Sequence, residues 1–233
     1  MPRIDATGLP RKEYPIFLLV ERSEDIKTTI RVYELLKNIR LALFEVQNLT
    51  PDVELKVGFY TFSSANYSMC PEKLVSLEEL NFEKLNDDKI VDLSNVFCRL
   101  SNDLSRSTLL MSETGYVAPN IILIFDGSKR YIDNGALTKL NENKWFRYAR
   151  KIALSVNEHD SIKNDVINKF TGTDEAVVKF ADIDTSMELF RNLLTCVSIS
   201  GSIIATHSQS VDDAIVFVDP IEADAWGNED DWE

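Results

Sequence analysis

Acids stand where apolar runs stop. "PIFLLVERSEDI" (15–26) passes from apolar residues straight into Glu21, Arg22, Ser23, Glu24 and Asp25. "IILIFDG" (121–127) ends in Asp126 and Gly127. Carboxylates at the ends of buried strands have a short list of uses. They can hold a hard divalent cation, which takes oxygen ligands. With a Ser or Thr and a Lys they can form part of a phosphoester-cleaving or phosphoryl-accepting site. Brought together with no partner they would repel one another and raise a pKa, which a cation relieves and so does a base. Arg22, Lys129 and Arg130 lie close to them in sequence.

The elements that must position these acids can be read from the apolar pattern. "PIFLLV" (15–20) is a continuous apolar run, as in a strand buried on both faces. Residues 23–49 follow with helical spacing through Ile26, Ile30, Tyr33, Leu36 and Ile39. "VELKVGFYTF" (53–62) is a second strand by its β-branched and aromatic content, and "KLVSLEEL" (73–80) holds a candidate edge strand. Helical spacing returns over 92–111, through Leu93, Val96 or Phe97, Leu100 and Leu104. "IILIFDG" is the clearest core strand. "NKWFRYARK" (143–151) leads into the strand "IALSV" (152–156). A short helix over 160–172 has Asp160 as its candidate N-cap and Gly172 past its end, followed by the strand "AVVKF" (176–180). A last amphipathic helix over 184–205 carries Met187, Phe190, Leu194 and Val197 on one stripe.

Strands alternating with helices imply an α/β domain, doubly wound, with a mostly parallel central sheet and helices on both faces. Ligands in such sheets lie beyond the carboxyl ends of the strands, where the strand order reverses. That rule places Glu21, Asp25 and Asp126 on one rim.

Composition narrows the function classes. The 233 residues suit one core, and the formal net charge of −13 argues against nucleic acid as a partner. Divalent cations or basic protein surfaces suit that charge better. No apolar run approaches the roughly 20 residues that span a bilayer, and "MPRIDATGLPRKEYP" lacks an apolar signal core, so no membrane insertion is expected. Cys70, Cys98 and Cys196 are few and far apart, which suits a reducing cytoplasm, and His159 and His207 have no Cys or His at ligand spacing. No Gly-rich phosphate loop and no Ser-His-Asp or Cys-His set stands out. The expected organisation is an N-terminal extension (1–11), a domain over 12–206 and an acidic tail over 207–233, at least partly disordered. Residues 218–233 alone hold seven acids and no base.

The order of elements resembles a von Willebrand factor type A (VWA) domain, and more narrowly the TerY-like group found with bacterial tellurite-resistance and stress clusters. "YPIFLLVERSEDI" (14–26) resembles that group's strand ending in D-x-S-x-S, "VELKVGFYTFS" (53–63) its second strand, and "NIILIFDGSKRYID" (120–133) its strand ending in a T-D-G turn. "ARKIALSV" (149–156) and "FTGTDEAVVKFADIDTSMELFRNLLTCVSIS" (170–200) resemble its later elements. In that family the D-x-S-x-S loop, a Thr and an Asp form a metal-ion-dependent adhesion site that holds Mg²⁺. Carried over by position, the metal set is Glu21, Ser23, Asp25 and Asp126. The first Asp has become Glu21, the second Ser has become Asp25, and no Thr stands near 87–97, where Val91, Asp92 and Ser94 lie. The resemblance therefore implies a degenerate site. The expected rim is metal-free and held by acid–base pairs, with Mg²⁺ as the alternative occupant. Arg22, Asp92, Ser94 and Lys129 are its expected partner-binding residues.

The resulting expectation is a non-enzymatic, cytoplasmic interaction or scaffold module of a bacterial stress or tellurite-resistance-type system. The resemblance implies protein partners encoded nearby: a protein kinase, a PP2C-type phosphatase or Ter-family proteins. Two rivals stand beside it: a metal-dependent phosphoesterase-like enzyme, and a purely structural subunit with a vestigial site.

Overall fold

A computed structural model describes residues 11–22, 25–50, 53–62, 73–82, 92–111, 118–126, 135–156, 165–173 and 176–179. The N-terminal extension apart from Arg11, Asp160, the 184–205 helix and the acidic tail lie outside these residues, as do both histidines, Cys70 and Cys196. In chain order the described elements are β1 (Lys12–Glu21), α1 (Ile26–Leu49), β2 (Val53–Phe62), β3 (Val75–Ser76), α2 (Leu93–Asp103), β4 (Asn120–Phe125), α3 (Ala136–Glu142), α4 (Lys144–Tyr148), β5 (Arg150–Ser155), α5 (Asp165–Thr171) and β6 (Val177–Lys179). The six strands form one sheet in the order β3-β2-β1-β4-β5-β6. Every neighbouring pair is parallel except the β2–β3 edge. The chain builds outward from β1 through β2 and β3, then returns to lay β4 on the other side of β1. The order reverses between β1 and β4, so the crevice expected of such a sheet opens past Glu21 and Phe125.

Period-two alternation sends the strands' side chains to two cores. Ile16, Leu18 and Val20 of β1 join Ile122 and Ile124 of β4 and Leu35, Leu36, Ile39 and Leu43 of α1 on one face. Phe17 and Leu19 join Ile121, Leu123 and Phe125 on the other, packed by α2, α3, α4 and α5. Sheet residues buried on both sides explain why β1 and β4 are continuous apolar runs. Pro15 lies outside the stretch of β1 that pairs with β4, which begins at Ile16, so its missing N–H costs that ladder nothing. Gly58 of β2 leaves room for the ring of Phe17, its neighbour on β1: a Cβ there would sit 2.8 Å from the ring. Gln47 fastens α1 to β2, donating to Val53 O at 2.6 Å and accepting from Leu55 N at 2.8 Å.

Most expected elements are present, with instructive differences. The edge strand within 73–80 is two residues long and antiparallel to β2. The buried stripe of α1 runs through Val32, Leu35, Leu36, Ile39, Ala42, Leu43 and Val46, whereas Ile30, expected on it, is 52% exposed. The helix expected over 92–111 stops at Asp103. Beyond it the Asp103 carbonyl accepts from Ser105 N at 2.9 Å, Leu109 N at 3.3 Å and Thr108 Oγ1 at 2.8 Å. Short polar side chains thus take over the main chain in a turn. Leu104, Leu109 and Leu110 stay buried there, so their apolar character reports burial rather than helix. The α3 helix was not anticipated. It has seven residues and starts from Gly135 at φ 84° with no side-chain cap, so no start signal marks it. The stop at Gly172 is as expected: it takes φ 85° and donates to Asn168 O at 2.8 Å.

Candidate functional site

The carboxyl edge is assembled from strand ends that main-chain bonds hold in place. β1 and β4 run parallel in register up to Val20 opposite Ile124. Past β1, Arg22 N donates to Phe62 O at 2.7 Å, tying the chain to the end of β2. Past β5, Val156 N donates to Phe125 O at 2.9 Å, tying it to the end of β4. Arg31, from the second turn of α1, reaches the same edge and donates through Nη1 to Val156 O at 3.4 Å.

Within this frame the two strand-end acids meet. Glu21 and Asp126 are both buried, at 3% and 4% exposure. The Glu21 carboxylate accepts the Asp126 main-chain N–H through Oε2 at 2.7 Å, across 105 residues of sequence. The charge of Asp126 also reaches Asp25, where it opposes ionisation. That contribution is outweighed. Asp25 Oδ2 accepts from Thr28 N at 2.8 Å and Thr28 Oγ1 at 2.9 Å, and these donors hold its carboxyl below the usual aspartate range, with the Lys27 charge adding to them. Asp25 is therefore the N-cap of α1, a role that satisfies one of the helix's orphan donors. The sequence carries that signal as Asp-x-x-Thr ahead of a long helical pattern.

The structure thus brings Glu21 and Asp126 together, with Asp25 within electrostatic reach of Asp126. Arg22 lies beside them by chain position. Asp92 serves α2, accepting from Asn95 N at 2.8 Å as that helix's N-cap. Ser94 is buried in the first turn of α2. Ser23 and Lys129 lie outside the described residues. Arg31, not singled out from sequence, reaches the edge through its bond to Val156 O; nothing in the local pattern distinguishes it from other helix arginines. Cys98, partly buried against the second core, is a free thiol.

Mg²⁺ requires near-octahedral coordination by oxygens. Among the described residues no three His, Cys, Asp or Glu side chains gather where they could hold a metal ion. One Glu21 oxygen is taken by a main-chain N–H and one Asp25 oxygen by two donors of Thr28. The described residues alone do not complete a cation's shell, and Ser23 lies outside them.

Solved structures share this architecture. The pilus adhesin SpaC from Lactobacillus rhamnosus GG, in its open conformation, superposes with a TM-score of 0.52 at 14% identity, covering 80% of this chain and 30% of SpaC. The conserved hypothetical protein BatB from Bacteroides thetaiotaomicron matches with a TM-score of 0.51 at 12% identity, covering 80% of this chain and 98% of BatB. The fold is of VWA type. Proximal thread matrix protein 1 from the mussel byssus is similar too, with a TM-score of 0.52 at 11% identity over 80% of this chain and 49% of that one. The chain therefore spans under a third of the adhesin and about half of the mussel protein. No protein-family model and no curated protein matches the chain.

Proposed function

We propose that this chain is a non-enzymatic, cytoplasmic interaction module of VWA type, serving a bacterial stress or tellurite-resistance-type system of the TerY-like kind. The observation that carries the reading is the carboxyl edge itself. A VWA-type sheet presents there Asp25, an exposed carboxylate, near the buried Glu21 and Asp126. With a net charge of −13, the chain favours partners with a basic face. A protein kinase, a PP2C-type phosphatase and Ter-family proteins encoded nearby are the partners to try first. The test is calorimetric titration of those purified proteins into this one, wild type and with Asp25 and Asp126 both replaced by Ala. Binding that weakens at least tenfold in the double variant supports the edge as the interface. Unchanged binding moves the interface elsewhere, and no binding by any of the three removes the proposed system.

A further inference from the structure

The bond between Glu21 and Asp126 has a consequence for how the edge is built. In an α/β sheet the two strands flanking the switch point diverge beyond their last paired residues, and something must tie their ends if a fixed rim is to exist. A metal ion can do this by drawing side chains from both loops into one coordination shell. Here a glutamate does it. Glu21 closes β1, and its carboxylate accepts the N–H of the first residue past β4 at 2.7 Å. Both residues are buried, so the bond is shielded from water. We infer that the Glu21 carboxylate, rather than a bound cation, closes the β1–β4 junction, and that the carboxyl edge keeps its shape in the absence of divalent ions.

Three features of the arrangement support this. The acceptor is one methylene longer than aspartate, the extra reach that brings Oε2 to a main-chain atom of the neighbouring strand. The donor is a backbone amide, which an acidic side chain at position 126 neither supplies nor removes. Asp25, a third carboxylate near this edge, spends one oxygen on Thr28 N and Thr28 Oγ1, so it caps α1 while Glu21 spans the junction. The inference stands whether or not the edge binds a partner.

The experiment uses the full chain, stripped with chelator. Amide exchange at Asp126 is followed by NMR for wild type, Glu21→Gln and Glu21→Asp, each with EDTA and with excess Mg²⁺, beside calorimetric titration with Mg²⁺ and Mn²⁺. Wild type is expected to protect the Asp126 amide equally with and without Mg²⁺, and the titrations are expected to be flat. Glu21→Gln keeps an acceptor oxygen at the same reach and should keep the protection. Glu21→Asp falls short of the amide, and exchange there should rise about tenfold, the equivalent of one lost hydrogen bond. Saturable Mg²⁺ binding that raises protection in wild type and is lost in Glu21→Gln overturns the inference. So does protection that is indifferent to Glu21→Asp. If the Asp variant fails to fold, the wild-type and Gln measurements still decide it.

Discussion

Two buried carboxylates in this protein are held in contrasting ways. Glu21, at the carboxyl edge, bonds to a main-chain amide of the neighbouring strand. Asp103, at the end of α2 and 3% exposed, is held by side chains: its Oδ2 accepts Tyr60 Oη at 2.9 Å and Arg99 Nε at 2.9 Å. The Asp103 latch joins a helix end to β2 through groups that any substitution can remove, and it carries a compensating positive charge from a half-exposed arginine. The Glu21 clasp joins two strand ends through a donor that no side-chain change at Asp126 deletes. The first arrangement fixes packing between layers. The second fixes the path of the chain at the carboxyl edge of the sheet.

Removing the acceptor should hurt the latch most. Asp103→Ala removes the buried acceptor shared by the Tyr60 hydroxyl and Arg99 Nε, and should cost about 3 kcal/mol in urea denaturation. Glu21→Ala should cost less, about 2 kcal/mol by the same measurement, since it removes the acceptor of one main-chain N–H. If Glu21→Ala proved the more damaging, the edge would be holding the sheet together and not merely shaping its rim. Tyr60→Phe trims the latch from the other side. Asp103 keeps Arg99, so the loss should be about 1 kcal/mol, read as a lowered thermal midpoint. A loss as large as that of Asp103→Ala would mean that the tyrosine, and not the ion pair, carries the latch.

The smallest effect belongs to Asp25 and is a matter of pH. Its folded pKa lies below its ordinary value of 3.8, mainly because of the Thr28 N–H. Its contribution is therefore fully present above that value and is lost as the pH falls through the folded pKa. Asp25→Asn keeps a capping oxygen but has no charge to titrate. The gap in stability between wild type and this variant should be constant near neutrality and should close on acidification. A gap that widens in acid would show that the Asp126 charge, and not the cap, dominates at Asp25.

Much of the fold was legible because burial writes itself into local patterns. β2 was read to the residue, and β1 and β4 were plain as apolar runs because helices cover both of their faces. Where the pattern misled, a tertiary cause is visible. Leu104, Leu109 and Leu110 continue an apolar rhythm past the end of α2 because they fill a core, while Ser105 and Thr108 bend the main chain. Ile30 fits a helical stripe by spacing but faces outward. Of the candidate site, the acids were legible and their duties were not. Asp25 and Asp92 read as members of a rim, yet each caps the helix that follows it, a duty within reach of a sequence reading that gives weight to Asp ahead of a helix.

By itself the sequence determined that this chain forms strands ending in acids, alternating with amphipathic helices, because period-two and near-period-four burial need no distant partner to be recognised. The caps at Asp25 and Asp92 are local as well, since a cap acts within three residues. Only the tertiary structure decided that Glu21 would spend its carboxylate on an amide 105 residues away, and Asp103 its own on a tyrosine 43 residues back. Such pairings depend on which strands become neighbours and how far each side chain reaches, and neither is written in any local stretch.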